Sequence, residues 1–491
     1  MNTENSALTT KLGRGLLKSV SNPSPKLLLA LIVLLGLALR AYPLFLSSFP
    51  DPDFYYHLRM SHLAFEQGGI PSYDALSYGG RPYTYYPFHH LLVATVAKLT
   101  GLSVDFVLPA ITLLIAALAI LAAYFLARKL FDQKSALLAA FAAALHAGFI
   151  AKSTAYARPD QYSLLLIPLS LLLLLKEGKL SNLLLFALFA LFPLVHLTVS
   201  AIGLFIFLAC ALAVKASWKK IGVACAGFLL GASYYAGWDL KQMIASKAFA
   251  SSAELVSFDL SFIFFYSGVL LIFGAIAALE FYNALKGQNF IERQKNSFKL
   301  VLVWLAVALA LQLAANRGVV FLAPALCVAA GFGFKHALEK SGKYEKYMLA
   351  LALAAIAIGT GAFLSVQHPG FTTGDVSVAQ WLGQNSHAGL VAAPWDRGHL
   401  LTFYGSKVLA DGYFEYAPAP ERKVAAIDEM LAASSGERAL QLAVENGVEF
   451  IFLDEKTLSQ LPANSVWTRN VSGFEKVFEN KAQAWKLSEK A

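Results

Sequence analysis

Apolar stretches about as long as one crossing of a lipid bilayer recur along this chain, and they restrict its fold more than any other feature. A transmembrane helix needs about 20 consecutive, mostly apolar residues. Such stretches follow one another from Lys26 to about Ser365, and only 14% of the 491 residues are charged. Soluble globular proteins carry about 25% charged residues. The sequence therefore predicts a polytopic α-helical membrane protein and excludes an ordinary soluble enzyme or a disordered chain.

The apolar stretches predict about eleven transmembrane helices, or thirteen if one region is re-entrant or is divided differently. An interfacial helix over residues 89–100 precedes the second of them. The predicted spans are residues 26–46, a helix ending near 127, and 135–150, 161–175, 180–196, 198–214, 221–237, 262–283, 300–315, 318–334 and 347–365.

The sequence divides into three regions. Residues 1–25 are polar and basic, and residues 26–367 form the transmembrane domain, with large outer loops at 47–87 and 238–261. Over residues 368–491 the charge rises and the apolar runs shorten. Short strand-like runs such as GLVAAP and VEFIFLD alternate there with the helical patterns PERKVAAIDEMLAA and ERALQLAVENG. We therefore predict a small C-terminal α/β domain.

Basic residues orient the chain in the membrane. Lys and Arg concentrate in alternate segments between the apolar stretches, and such segments face the cytoplasm. This bias predicts a cytoplasmic N-terminus in a multi-pass protein of the cell membrane. Because the number of predicted spans is odd, the C-terminal domain is expected on the extracytoplasmic side. The net charge of +9 is explained by this topology, so we expect no nucleic-acid partner.

The same orientation sends several acidic segments to the outer face. Three carboxylates from separate loops can hold a hard divalent cation, because Mg²⁺ and Mn²⁺ prefer oxygen ligands. An Arg at the membrane boundary can bind a lipid phosphate with its planar fork of donors. The segments are DPDFYYHLR with Asp51 and Asp53, TAYARPDQY with Arg158 and Asp160, SSAELVSFD with Glu254, NRGVVFLAP with Arg317, and APWDRGH with Trp395 and Asp396.

A divalent cation and an Arg beside a lipid phosphate would together stabilise a departing phosphate. The pattern therefore favours transfer of a group from a lipid-phosphate carrier to an acceptor outside the cytoplasm. Each signal is weak when taken alone. An Asp in an outer loop is usually a helix cap or a solvated turn, and an Arg at the end of a span usually anchors the helix at the interface.

In their order along the chain, these segments resemble the motifs of the oligosaccharyltransferase catalytic subunit, especially its archaeal members. DPDFYYHLR is similar to the first outer-loop motif, in which an Arg follows the metal-binding and catalytic Asp after six positions, and this spacing selects Asp53 with Arg59. RPDQY resembles the second acidic motif and places its leading acid at Asp160. SSAEL resembles the Thr/Ser-x-x-Glu motif of a large outer loop, which makes Glu254 both a metal ligand and a catalytic residue.

Two later motifs extend the resemblance. NRGVVFLAP is similar to the late span whose Arg contacts the donor phosphate, here Arg317. APWDRGH resembles the Trp-Trp-Asp motif, which implies that Trp395 and Asp396 bind the acceptor. The chain departs from the family at two positions, because Pro394 replaces the first Trp and Tyr162 replaces the second acid of the second motif.

The resemblance implies a membrane glycosyltransferase of GT-C type. It would transfer an oligosaccharide from a polyprenyl or dolichyl phosphate or diphosphate to the Asn of Asn-x-Ser/Thr in proteins, with inversion at the sugar carbon. The implied cofactor is Mn²⁺ or Mg²⁺, and the implied form is a single catalytic subunit in the bilayer. Asn470 begins such an acceptor triplet in the C-terminal domain.

Other functions fit parts of the pattern. The nearest alternative is another polyprenyl-phosphate-sugar-dependent membrane glycosyltransferase, such as a protein O-mannosyltransferase or an enzyme that modifies envelope lipids. A transporter of lipid-linked sugars is a more distant alternative, because that class usually has internal repeats and charges near the middle of the bilayer. A non-catalytic membrane scaffold that displays its C-terminal domain is a third.

Overall fold

The computed structural model describes residues 24–45, 52–156, 158–237, 260–286, 292–365, 370–387, 389–414, 416–461, 465–468 and 471–488. Three residues singled out from the sequence, Asp51, Glu254 and Asn470, lie outside these ranges. Up to Ser365 the described chain is almost entirely helical. Its α-helices are α1 (Pro25–Ala41), α2 (Pro52–Gln67), α3 (Phe88–Thr100), α4 (Val104–Leu130), α5 (Gln133–Leu145), α6 (Ala147–Ala151), α7 (Tyr162–Leu174), α8 (Lys179–Val195), α9 (Leu197–Ala213), α10 (Trp218–Ala232), α11 (Leu260–Ser267), α12 (Leu270–Lys286), α13 (Glu292–Ala314), α14 (Val319–Ser341) and α15 (Glu345–Ser365).

Helix occurs wherever the sequence predicts a span, and α3 matches the predicted interfacial helix. This confirms the polytopic helical architecture. By length and composition, four segments of the described chain could cross a membrane, and four further apolar helices are shorter. The four long segments are Pro25–Phe45, Val104–Leu130, Gln294–Ala314 and Asn316–Ser365.

Local breaks explain why some predicted spans are shorter than expected. The span predicted over 135–150 divides at His146, whose backbone is extended and whose side chain accepts a hydrogen bond from the Phe149 N–H at the start of α6. The span predicted over 262–283 divides at Gly268, which has a φ of +49°. A side-chain cap and a left-handed glycine each end a helix without interrupting the apolar composition.

Small residues let the helices approach closely. Helix α14 packs against both α5 and α12, and two of its glycines lie in these contacts. A Cβ atom at Gly331 would collide with the backbone of Ser135 and Ala139, and one at Gly333 would collide with the carbonyl of Phe273. In a membrane, helices associate through this kind of close packing because lipid provides no hydrophobic drive between them.

The C-terminal part forms the predicted α/β domain around a five-stranded sheet of order β4-β3-β5-β7-β6. Strands β3, β4 and β5 are parallel, and β7 runs antiparallel to both β5 and β6. The β6–β7 hairpin was not predicted. The strands are β3 (Leu390–Ala392), β4 (Lys407–Val408), β5 (Val448–Leu453), β6 (Phe474–Asn480) and β7 (Ala482–Leu487), and the helices are α16 (Thr373–Asn385), α17 (Gly398–Phe403), α18 (Pro420–Leu431), α19 (Gly436–Glu445) and α20 (Glu455–Gln460).

The described part of the first predicted outer loop, residues 52–87, packs directly against this domain. This first outer segment contains α2 and a short ribbon of β1 (Tyr73–Asp74) and β2 (Arg81–Pro82). The ring of Tyr55 on α2 lies 5.3 Å from the rings of both Phe371 and Phe403, inside a core shared with the sheet. The backbone N–H of Val408 donates to the carbonyl of Leu76. The outer segment and the C-terminal domain therefore share one packed interface.

A buried ion pair fixes the outer segment itself. Arg59 on α2 donates to both carboxylate oxygens of Asp74 at 2.8 and 2.5 Å, and both side chains are nearly inaccessible. Burial alone would raise the pKa of Asp74, but the charge and hydrogen bonds of Arg59 outweigh it and hold that pKa below its ordinary value of 3.8. The Arg that follows Asp53 by six positions therefore binds another acid in the outer segment.

Candidate functional site

Asp53 lies in the first turn of α2, where it meets groups from two other parts of the chain. Arg158 donates to its Oδ2 at 2.7 Å. The Nε2 atom of His399, on α17 of the C-terminal domain, lies 3.7 Å from its Oδ1. About a third of the Asp53 side chain remains exposed, so the carboxylate is open to a ligand. A negative charge in the first turn of a helix is also stabilised by the helix dipole.

Asp160 occupies a buried turn, Pro159–Gln161, that leads into α7. Two cations approach its Oδ2: the Nζ of Lys152 at 3.7 Å and the Nε of Arg317 at 4.0 Å. Only 2% of the Asp160 side chain is exposed. Arg317 thus lies beside one of the predicted acids, as expected for a cation that binds a phosphate near a metal site.

Arg317 lies in the tight turn that connects α13 to α14. The residue sits in a single 3-10 turn, Asn316–Gly318, and its guanidinium contacts the Nε2 of His196 at 3.1 Å. Gly318 is required in this turn because a Cβ atom there would collide with the backbone of Leu311 and Gln312. His196 in turn packs against the ring of Tyr86 at 4.4 Å. About a quarter of the Arg317 side chain is exposed, which leaves it accessible to an anion.

One loop connects the two acids. Arg158 contacts Asp53 and precedes Asp160 by two residues, so the second outer segment lies beside the start of α2. The predicted third ligand, Glu254, lies outside the described residues. Among those that are described, no group of three His, Cys, Asp or Glu residues is placed to hold a metal ion. Two of the three predicted metal ligands, Asp53 and Asp160, are thus linked through the segment that carries Arg158.

The donor set is compatible with a hard divalent cation. Mg²⁺ is usually held in proteins by one or two carboxylates together with water and substrate phosphate oxygens. Asp53 and Asp160 supply two such carboxylates, but cationic side chains already contact both of them. A metal at this position would therefore have to share each carboxylate with a guanidinium or an ammonium group.

The Trp-Asp motif lies at the carboxyl end of β3, in the 3-10 turn Trp395–Arg397. The Trp395 ring packs at 5.1 Å from that of Phe414. About a third of the Asp396 side chain is exposed. Arg397 beside it lies 2.7 Å from the buried Asp454, which follows the neighbouring strand β5. The carboxyl ends of parallel strands are where open α/β sheets usually bind ligands.

His399 was not identified from the sequence, although it follows Asp396 by only three residues. Its ring is nearly buried, with Nε2 toward Asp53 and Nδ1 4.0 Å from the carboxylate of Asp411. It also packs against Tyr56 on α2. The C-terminal domain therefore reaches the first acidic motif through a side chain that sequence motifs alone do not single out.

Three buried histidines form a second group beside the acids. His57 bonds to His90 at 3.0 Å, and His90 bonds to the hydroxyl of Tyr83 at 2.9 Å. Burial, and then the neighbouring imidazoles, hold the pKa of His57 well below its ordinary value of 6.5, so the ring is neutral at pH 7. His89 contacts the hydroxyl of Tyr162 at 3.2 Å. The residue that replaces the family's second acid thus belongs to this histidine group.

Known proteins share both sequence and fold with this chain. Residues 27–192 match the family model described as oligosaccharyl transferase STT3, N-terminal. No curated protein sequence matches the chain. The fold is similar to that of the archaeal oligosaccharyltransferase AglB from Archaeoglobus fulgidus in complex with an inhibitory peptide and a dolichol-phosphate. That match has 14% identity and a TM-score of 0.67, and it covers 88% of this chain and 69% of AglB.

Two further solved structures show the range of this fold. A crystal structure of the Archaeoglobus fulgidus enzyme in complex with Zn and sulfate matches with 15% identity and a TM-score of 0.65, over 87% of this chain and 68% of that one. ArnT from Cupriavidus metallidurans bound to undecaprenyl phosphate matches with 14% identity and a TM-score of 0.58, over 94% and 97%. At such identities these structures establish the fold alone.

The fold alone does not show whether the chain is more similar to AglB or to ArnT. The family match favours the oligosaccharyltransferases, and it covers the two acidic motifs around Asp53 and Asp160. The resemblance inferred from the sequence motifs is confirmed for this region. The chain has the fold of the GT-C membrane glycosyltransferases, and its residues 27–192 match the model of the STT3 N-terminal domain.

Proposed function

We propose that this protein transfers an oligosaccharide from a polyprenyl-linked phosphate or diphosphate to the Asn of Asn-x-Ser/Thr in proteins. The observation that carries the proposal is the meeting of Asp53, the Arg158–Asp160 loop and Arg317 beside the C-terminal domain. The reaction takes place on the extracytoplasmic face, with the N-terminus in the cytoplasm. The protein acts as a single catalytic subunit.

Arg317 binds the phosphate of the donor. Its planar fork of N–H donors can hold two phosphate oxygens at once. His196 supports the guanidinium from one side, and Tyr86 supports the His196 ring. As the bond between the sugar carbon and the phosphate oxygen breaks, negative charge grows on the phosphate. The guanidinium stabilises that charge.

Asp53 acts on the acceptor amide. The nitrogen of an amide is a poor nucleophile because its lone pair is delocalised into the carbonyl. A carboxylate that accepts hydrogen bonds from the amide N–H groups weakens this delocalisation, and Asp53 and Glu254 have that role. The nitrogen attacks opposite the departing phosphate, so the sugar carbon is inverted, and the proton that the nitrogen loses passes to the Asp53 carboxylate. Arg158 and His399 hold the Asp53 carboxylate in place.

Trp395 and Asp396 bind the Ser or Thr two residues after the acceptor Asn. The carboxylate of Asp396 accepts the hydroxyl hydrogen, and the indole of Trp395 packs against the side chain. Pro394 takes the place of a second indole, so Trp395 is the indole of this motif that packs against the acceptor. Asp53, Asp160 and Glu254 would hold Mn²⁺ or Mg²⁺, which would supply further positive charge for the departing phosphate.

Paired peptides test the proposed function. Purified full-length protein in detergent is mixed with a lipid extract from its native host, Mn²⁺, and a peptide that contains either Asn-x-Thr or Gln-x-Thr. We expect a glycan-sized mass increase on the Asn peptide alone. Sugar on the Thr hydroxyl of either peptide would instead indicate an O-glycosyltransferase. Failure to modify the Asn peptide with the complete native lipid fraction would contradict the proposal.

Removal of divalent cations is expected to abolish the transfer. Dialysis against a chelator should lower the rate by at least about a hundredfold, because the charge that develops on the phosphate loses one of its two counter-charges. Readdition of Mn²⁺ or Mg²⁺ should restore the rate, and Ca²⁺ serves as a control of equal charge but larger size. A chelated enzyme with its full rate would exclude the proposed role of the cation.

A further inference from the structure

A cleft in the C-terminal domain lies apart from the acids described above. It has a volume of about 800 Å³ and opens beside Tyr78 and Gly79 of the first outer segment. Its floor is formed where β3, β4 and β5 begin, at the opposite end of the sheet from the Trp-Asp turn. The proposed transfer chemistry uses none of the side chains that line it.

Positive charge dominates the lining. Lys407 opens β4, and Arg422 and Lys423 lie in the first turn of α18. Within the described part of the chain, neither Lys407 nor Arg422 makes an ion pair. Four cations line the cleft against two acids: Glu449 lies 3.9 Å from Lys486, and Glu445 keeps its charge while it accepts a hydrogen bond from Gln441. The cleft therefore carries cationic charge that the described residues do not neutralise.

The fold holds one of these cations in an unfavourable position. The Nζ of Lys423 donates to the carbonyl of Tyr78 and lies over the same ring that Arg81 approaches from 5.5 Å. Burial, and then the like charge of Arg81, lower the pKa of Lys423. Basic residues in the first turn of a helix also oppose the helix dipole. Each of these costs would fall if an anion entered the cleft.

The remaining lining suits a ligand with many hydroxyl groups. Asn385 and Asn446 contribute amide groups to the lining, while the hydroxyl of Ser386 is buried. The cleft is far larger than a phosphate ion, and it offers few apolar side chains to a peptide. Amides beside two cations that form no ion pair with the described residues match a sugar that carries a carboxylate.

The cleft is within reach of the proposed transfer site. Asp411 follows Lys407 by four positions, and an extended chain covers at most about 14 Å over that length. Asp411 contacts His399, and His399 contacts Asp53. An oligosaccharide of several sugars can span this distance. The first sugar could thus react near Asp53 while a later one lies in the cleft.

We propose that this cleft binds a carboxylate-bearing sugar of the donor oligosaccharide, through Lys407 and Arg422 with Lys423. The inference rests on the proposed function, because it assigns the cleft to the glycan that is transferred. It makes the protein selective for acidic glycans at a position remote from the bond that breaks. Charge-assisted hydrogen bonds from the cations to the carboxylate provide this selectivity.

Direct binding to the full-length protein in detergent tests the inference. The probes are a tetrasaccharide of hexuronic acids, a neutral hexose tetrasaccharide, inorganic phosphate and a tetraglutamate peptide, each titrated by calorimetry at low salt. We expect the uronic acid tetrasaccharide to bind best, and the double variant Lys407→Gln, Arg422→Gln to lower its affinity at least about tenfold. The double variant Lys456→Gln, Lys481→Gln removes the same charge at the opposite end of the sheet and should bind normally.

Several outcomes would overturn the inference. These are equal binding of the neutral tetrasaccharide, tighter binding of phosphate or tetraglutamate, and unchanged affinity in the Lys407 and Arg422 variant. The failure of the proposed function is recognised separately. If the uronic acid tetrasaccharide binds through the cleft but no peptide is glycosylated, the acidic saccharide site stands and the transfer reaction does not.

Discussion

Replacement of Asp53 by Asn is expected to lower the rate of glycan transfer by at least about a hundredfold. The substitution keeps the size of the side chain but removes its negative charge and one hydrogen-bond acceptor. The variant can no longer pair with the guanidinium of Arg158, and it provides a weaker acceptor for the amide N–H groups. The measurement is the initial rate on the Asn-x-Thr peptide, with saturating donor and Mn²⁺.

Asp105→Asn is the matched control for this prediction. Asp105 is also an aspartate near the start of a helix, but its side chain is 57% exposed and pairs with His62. Its replacement should leave the rate unchanged. Thermal unfolding of both variants shows whether either change disturbs the fold. An Asp53→Asn protein that is folded and transfers at the normal rate would remove Asp53 from the reaction.

Replacement of Asp74 by Asn is expected to lower the free energy of unfolding by about 3–5 kcal/mol. The change leaves the Arg59 guanidinium buried without a counter-charge, since both side chains of the pair are 7% exposed or less. The comparison is Glu429→Gln, which breaks the exposed pair with Arg438. That loss should be below about 1 kcal/mol. Denaturant unfolding in detergent at pH 7 measures both.

The effect of Asp74 should depend on pH with a defined sign. Its pKa in the folded protein lies below 3.8, so its ionised form stabilises the fold at every pH above the unfolded value. This contribution disappears as the pH falls through the lower pKa of the folded state. The difference in the free energy of unfolding between the Asp74→Asn variant and the unchanged protein should therefore be largest at pH 5–7 and shrink below about pH 4. An equal difference at pH 3 and pH 7 would contradict this assignment.

The sequence predicts the helical part of the fold because apolar length alone determines where helices form in a membrane. It does not predict where some of them break. His146 and Gly268 interrupt apolar stretches through local backbone geometry, and the composition around them marks neither break. The β6–β7 hairpin was also missed, because the apolar residues of β6 (FEKVFEN) do not alternate with polar ones and the strand is irregular between Lys476 and Phe478.

For the candidate site too, the sequence identifies some residues and misses others. Asp53, Asp160 and Arg317 could be identified from sequence because each belongs to a short motif with fixed spacing. Their roles stay predictions, and so does that of Glu254. His399 could not be identified, because its importance arises from a contact with Asp53 across 346 residues of chain. Contacts of that range depend on how the C-terminal domain packs on α2, and no local pattern encodes them.

The ring of Tyr55 belongs to the same core as Phe371 and Phe403, although Tyr55 lies two residues after Asp53 and the two phenylalanines lie in the C-terminal domain. A chimera that exchanges only the C-terminal domain with that of a relative would therefore also replace the residues that pack against the first acidic motif. To be compatible, the graft would need to carry residues 52–86 with it. The unit that evolution can exchange in this protein is thus discontinuous along the chain.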